Sequence, residues 1–208
     1  MPFYRDHLYP RIIRTLGNPE PIRELRRRII PLACGEILEI GVGPGANFKH
    51  YKSARISNIY ALEPNPVMIQ LAARESRRTK LDVKFLNFPG EYIPLQNDSI
   101  DTVVSTFTLC TIPGVVEALQ GIERVLKPGG KLIFLELGLS PDGHVHRWQE
   151  RWDPILHRLF EGLRLTRDIP SLIARGGFDI EQMDSAYLAR FPKSWAHCSW
   201  GVASLRPK

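Results

Sequence analysis

The chain has 208 residues, of which 43% are hydrophobic and 24% charged, and a formal charge of +6. This mix excludes disordered and fibrous classes, and the length suits a single domain, since cores grow to a couple of hundred residues before splitting. No run of about 18 apolar residues occurs, which excludes a transmembrane helix.

The opening Met1-Pro2-Phe3-Tyr4-Arg5-Asp6-His7 lacks the apolar stretch and cleavage site of a secretory signal, so the expected compartment is the cytoplasm. Cys34, Cys110 and Cys198 are odd in number and far apart. They fit neither a disulfide framework nor a zinc site and read as reduced thiols, with no metal implied. The basic excess clusters at Arg26-Arg27-Arg28 and Arg77-Arg78-Thr79-Lys80. Such runs read first as solvated helix faces, with a polyanion or an anionic membrane surface as the sharper alternative.

Phe3, Tyr4, Leu8, Ile12 and Leu16 recur at helical spacing up to Gly17-Asn18-Pro19, and Ile22, Leu25 and Ile29-Ile30 mark a second helix. Residues 1–33 thus form N-terminal helices, a candidate lid or membrane-resting face. Strand and helix then alternate. Ile37–Ile40 is a strand, Ala46–Tyr51 opens a helix, and Ile56–Leu62 is a second strand. Asn65-Pro66 caps a helix carrying Met68, Leu71 and Ala72, and Val83–Leu86 is a third strand. Thr102–Thr106 is a fourth strand and Val115–Leu126 a helix, followed by a turn at Lys127-Pro128-Gly129-Gly130 and a fifth strand, Lys131–Leu137. Strands separated by helices imply a parallel sheet with right-handed crossovers. Trp148, Trp152, Ile155, Leu156, Leu159, Phe160 and Leu163 form an apolar helical stripe with a break at Asp153-Pro154. Thr166 caps a short helix ending at Gly176-Gly177, and Phe178–Leu188 and Trp195–Leu205 make a terminal strand pair. The prediction is an α/β fold: a doubly wound, seven-stranded, mostly parallel sheet with N-terminal helices and an inserted cap helix before the last two strands.

Glu39-Ile40-Gly41-Val42-Gly43-Pro44-Gly45-Ala46-Asn47 follows the first strand. Its glycines let the backbone turn sharply and a ligand approach closely. In an open α/β sheet such a loop lies at the carboxyl ends of the strands, where ligands bind. Glu63 ends the next strand, about 20 residues on, where a carboxylate can accept ribose hydroxyls. A dinucleotide calls for G-x-G-x-x-G, but the spacing here is G-x-G-x-G with Glu39 just before it. A carboxylate there disfavours phosphate and suits a cationic sulfonium or amine.

With these motifs in order from Ile37 to Leu137, the sequence resembles the class I S-adenosylmethionine-dependent methyltransferases, which are Rossmann-like. The resemblance implies S-adenosylmethionine as cofactor and residues 35–138 as the core that binds it. It implies that Glu39 and Asn47 orient the loop and the amino acid end, and that Gly41, Gly43 and Gly45 pack on methionine and ribose. Glu63 would hold the ribose hydroxyls, with Pro64, Asn65 and Met68 flanking the adenosine. Phe88-Pro89-Gly90-Glu91 aligns with the segment over adenine. Pro89 stands where many members have aspartate, leaving Gly90 or Glu91 to take that contact. Thr106 and Leu109 fall where relatives line the methionine moiety. Gly45-Ala46-Asn47-Phe48, Glu63-Pro64-Asn65-Pro66, Leu109-Cys110, Asp153-Pro154 and Leu165-Thr166-Arg167 further resemble the alkyl thiol methyltransferase branch, and quinone-biosynthetic and phospholipid methyltransferases share the core.

Methyl transfer asks the protein mainly for alignment, and a thiol with a pKa near 8.5 is ionised enough to dispense with a strong base. His146 and His197 are the candidates for a base, with His144 beside them; no residue declares itself catalytic. Cys110 reads as a small pocket-lining residue. Residues 139–208, rich in tryptophan, point to an apolar or amphipathic small-molecule acceptor. A nucleic-acid acceptor is disfavoured, because Ser105-Thr106-Phe107-Thr108 stands where amine-methylating enzymes carry a proline-aromatic motif.

Overall fold

The computed structural model describes Tyr9, Pro10, Ile13 and residues 18–206. The predicted first helix, with Phe3, Tyr4, Leu8, Ile12 and Leu16, otherwise lies outside the described residues. Helix α1 (Glu20–Ile29) leads into strand β1 (Gly35–Ile40). There follow β2 (Ile56–Leu62), α2 (Pro66–Ser76), β3 (Val83–Leu86), β4 (Ile100–Thr106), α3 (Val115–Val125) and β5 (Leu126–Leu137). The last part comprises α4 (Gly143–Leu159), α5 (Ile169–Arg175), β6 (Phe178–Tyr187), α6 (Lys193–Ala196) and β7 (His197–Leu205).

The seven strands form one sheet in the order β3-β2-β1-β4-β5-β7-β6. Strands β1 to β5 pair in parallel, while β7 is antiparallel to both β5 and β6. The predicted fold class is the observed one. Strand order reverses between β1 and β4, which opens a crevice at their carboxyl ends.

Strand β1 is buried continuously from Ile37 to Ile40, on both faces, so its burial does not alternate. On one face α3 packs Val115, Ala118, Leu119, Ile122 and Val125 with Leu38, Ile40, Val103 and Phe134. On the other, Ile22, Leu25 and Ile29 of α1 meet Ile37, Ile59, Val104 and Leu135.

Several local predictions differ from the structure. Ala46–Tyr51 does not open an α-helix; a 3-10 turn at Phe48–His50 and another at Ser53–Arg55 fill the stretch. The chain must return the length of a strand, about 20 Å, within ten residues. An α-helix rising 1.5 Å per residue falls short of that, whereas loose 3-10 turns at about 2.0 Å and extended residues reach it. Lys127–Gly130 is a bulge within β5 rather than a turn before it, because Ile100 pairs with Leu126 but Thr102 with Lys131. Helix α4 runs through Pro154 without a break. The carbonyl that loses its partner belongs to Glu150, an exposed residue where water can replace the bond. The cap of α5 is Asp168, which accepts from Ser171 N; Thr166 donates instead to Asp153. Trp195 sits in α6 rather than in the last strand. Among the described residues no helix is long and apolar enough to cross a membrane.

Candidate active site

A cavity of about 1290 Å³ opens at the carboxyl ends of β1, β2 and β4. Gly41, Gly43, Gly45, Glu63, Pro64, Asn65, Met68, Gly90, Glu91 and Thr106 line it. The structure thus brings together ten of the residues picked out in the sequence. Glu39, Asn47 and Leu109 lie one layer behind the wall, and His144, His146 and His197 are elsewhere.

The three loop glycines, all at positive φ, serve different ends. A Cβ on Gly41 would overlap the Thr108 side chain at 2.3 Å, and one on Gly45 would press on the Phe48 ring at 2.9 Å. Those two allow close packing of the protein on itself. A Cβ on Gly43 would meet nothing nearer than Gly41 O at 4.0 Å, so this residue leaves space for a ligand.

Glu63 ends β2 and fixes the loop from below. Its Oε2 accepts from Gly43 N at 3.0 Å and its Oε1 from Asn65 N at 3.0 Å. Asn65 caps α2, accepting from Val67 N and Met68 N. Asn87 Nδ2 donates to the carbonyls of Glu63 and Pro64 and ties β3 to this corner. Glu91 Oε1 accepts from Gly114 N at 3.0 Å, which anchors the start of α3. Gly90 is required by Ile112, whose Cδ1 would lie 2.5 Å from an added Cβ.

Behind the loop lies a buried polar chain. Glu39, 1% exposed, accepts from Asn47 Nδ2 at 2.9 Å and from Tyr51 OH at 2.7 Å. Burial lifts its carboxyl to about 7, against the Tyr51 and Asn47 bonds and the Arg26 charge. Asn47 also donates to Thr106 Oγ1 and accepts from Arg26. Arg26, 6% exposed, donates to Thr106 Oγ1 at 2.9 Å and stands over the Phe107 ring at 5.4 Å. Burial brings its guanidinium down to about 10, opposed by the Glu39, Tyr51 and Glu136 charges, so it stays cationic at neutral pH. Its Nε is buried and has no hydrogen-bond partner among the described residues, and the residue lines the cavity.

The Arg26-Arg27-Arg28 run is therefore not wholly a solvated face: Arg27 and Arg28 are exposed, Arg26 is not. A signal for this was present, since position 26 shares the buried face of α1 with Ile22, Leu25 and Ile29. Glu136 also escaped the motif reading. Its buried carboxylate accepts from Ser105 Oγ and from the backbone N–H groups of Thr108, Leu109 and Cys110, holding the loop after β4. Phe107, at the start of that loop, adopts φ +56°, a conformation costly for an aromatic residue.

Lys49, Arg74, Glu75 and Arg78 add charge to the cavity rim, while α1, α4 and α6 contribute a mainly apolar wall. Ile13, Ile22, Phe107, Leu156, Phe160 and Trp195 are among its lining residues. Asp153, buried in α4, accepts from Arg164 and Thr166, and Arg167 donates to the carbonyl of Leu109. These motif residues lock the cap onto the loop after β4. Cys110 lines the wall with its thiol pushed far up by burial and by Glu136. His146 faces Glu150 on the outer side of α4, and His144 contacts Arg147. His197 is buried in β7 against the Tyr187 ring, with its pKa lowered by burial. Trp152 packs edge-to-face on Trp195, and Trp200 is in the core, but Trp148 projects into solvent.

Do these residues suit S-adenosylmethionine? The open face at Gly43, the Glu63 carboxylate and the cation at Arg26 fit the backbone, diol and carboxylate of such a ligand. The comparisons agree. A methyltransferase domain family matches residues 38–134. Human thiol S-methyltransferase TMT1B is 32% identical over 192 residues, covering 88% of this chain and 77% of the relative. Human thiol S-methyltransferase TMT1A is 32% identical over 147 residues, and the match spans 68% of this chain and 59% of that relative. Demethylmenaquinone methyltransferase of Thermus thermophilus is 29% identical over 123 residues, covering 57% of this chain and 56% of that one. The fold is shared with an S-adenosylmethionine-dependent methyltransferase of Thermotoga maritima: TM-score 0.66, 17% identity, 98% of this chain and 100% of that one. This chain belongs to the class I S-adenosylmethionine-dependent methyltransferase family.

Proposed function

We propose that this enzyme methylates a small apolar thiol, and that its residues act by alignment rather than by proton abstraction. The observation that carries this reading is the apolar half of the cavity, where no histidine is found among the described lining residues. Glu161, one of the lining carboxylates, is exposed to solvent. Thiol methylation is also what the names of the TMT1 relatives state.

S-adenosylmethionine supplies a methyl group already activated on a sulfonium. Glu63 would hold the ribose hydroxyls, Gly43 would give room for close approach, and Met68 and Gly90 would border the adenine. Thr106 and Arg26 would border the amino acid end, where the Arg26 guanidinium would offer charge and a donor to the carboxylate. Glu39 and Asn47, set behind the cavity wall, would act by holding Arg26 and Thr106 in place. Leu156, Phe160 and Trp195 exclude water and leave an acceptor with little hydration to shed. The whole chain acts as one unit, since α1 and α4 complete a cavity begun by the sheet.

The test is transfer of labelled methyl to alkyl thiols of different acidity over a range of pH. The rate should follow the thiolate fraction of each acceptor and shift with its pKa. A break at one fixed pH for every acceptor would reveal an enzymic base, and absence of label on thiols would refute the acceptor class.

A further inference from the structure

Helix α4 presents an exposed face that the methyl-transfer site does not use. With about 100° between successive residues, Arg147, Arg158 and Arg151 fall on one flank of an arc near 120° wide. Ile155, Trp148 and Leu159 fall on the other. Trp148 is 55% exposed, and Ile155 and Leu159 are each 48% exposed. Single apolar side chains in solvent are ordinary, but a contiguous row of them rimmed by cations marks an interaction surface. No carboxylate lies within the arc. Glu150 projects on the far flank toward His146.

The apolar flank continues into the cavity. One step further round the helix is Trp152, which packs on Trp195, a lining residue. Leu156, between Ile155 and the cavity, lines it as well.

From this surface we infer that α4 lies on an anionic lipid bilayer, with its arginines among the headgroups and Trp148, Ile155 and Leu159 dipping into the acyl boundary. Charge complementarity selects the occupant: an apolar stripe alone would suit any apolar partner, whereas a guanidinium flank beside it matches acidic headgroups over hydrocarbon. Tryptophan is at home in that zone, apolar in body and polar at its edge. The cavity mouth then faces the bilayer, and an apolar acceptor enters from it. That last step rests on the acceptor reading above; the lipid contact does not.

The experiment is co-sedimentation of the full chain with vesicles of phosphatidylcholine, alone or with about one third phosphatidylglycerol. Binding to the anionic vesicles should be at least tenfold tighter than to the neutral ones and should weaken with salt, given roughly a fivefold factor per cation near the surface. Ile155→Glu and Arg151→Glu should each weaken it by about tenfold while leaving affinity for S-adenosylhomocysteine unchanged, which certifies the fold. Equal binding to both vesicles would overturn the inference, as would variants that bind like the wild type. Binding to neither would also overturn it and would leave the face to an acidic protein.

Discussion

Replacing Arg26 by methionine separates the two things this side chain does. Methionine keeps most of the volume and removes the charge, so packing against Ile22 and Phe107 changes little. Inside the protein the loss is a donor to Asn47 Oδ1 and Thr106 Oγ1. A buried acceptor left unpaired costs about 1–3 kcal/mol. For a domain of this length that lowers Tm by roughly 2–12 °C. If Arg26 meets the carboxylate as proposed, the loss at the ligand is one charged hydrogen bond, about 1.5–3 kcal/mol, or roughly 10- to 150-fold in affinity. Calorimetry with S-adenosylhomocysteine and with its decarboxylated analogue isolates that contact. The wild type should prefer the carboxylate form by such a factor, and the Arg26→Met variant should bind both ligands alike, because the pair has been removed from both sides of the cycle. If the variant weakens both ligands equally and keeps the wild-type preference, Arg26 does not meet the carboxylate and serves only to brace Asn47.

Three further outcomes are expected. Glu63→Ala should lose the ribose bonds and the support of Gly43 N, weakening S-adenosylhomocysteine by at least a hundredfold in calorimetry, as about 1.5–3 kcal/mol per charged bond implies. Gly43→Val should abolish binding by filling open space, while its left-handed backbone costs only about 1–2 kcal/mol of stability in a urea titration. Glu39→Gln addresses pH. The folded carboxyl holds its proton to about 7, above the unfolded value, so through this group the folded state binds more protons and its contribution to stability falls as pH rises from about 4.5 to 7. The full effect is on the order of 3 kcal/mol at about 1.4 kcal/mol per unit. Glu136, also raised by burial, adds a slope of the same sign in both proteins. The variant's urea midpoints should therefore decline less steeply, and parallel curves would show that Glu39 does not titrate there.

The sheet was legible because its determinants are local. Strands such as Ile56–Leu62 and Val83–Leu86 announce themselves by β-branched and apolar runs bounded by turns, and the structure starts and ends them at the same residues. The glycine loop was equally plain, since backbone shape is written in the glycines themselves. What failed depended on distance. The return from Gly45 to Ile56 is set by the length of the neighbouring strand, and Pro154 is absorbed because Asp153 is tied to residues eleven and thirteen positions away.

The same distinction divides the candidate site. A motif reveals residues whose neighbours in sequence are also their neighbours in space, which is why Gly43 and Glu63 could be found beside the turns they serve. Arg26 reaches Thr106 across eighty positions, and no spacing rule encodes that contact. Its trace in the sequence was a contradiction: an arginine on the apolar stripe of its own helix. A charge in such a place must find partners, because burying it alone would cost far more than a helix gains by packing. Asn47 and Thr106 are those partners, and Glu39 orients Asn47 in turn. So the acidic residue before the glycines, which reads in sequence as a ligand contact, is joined through Asn47 to a cation that the sequence pattern assigned to solvent.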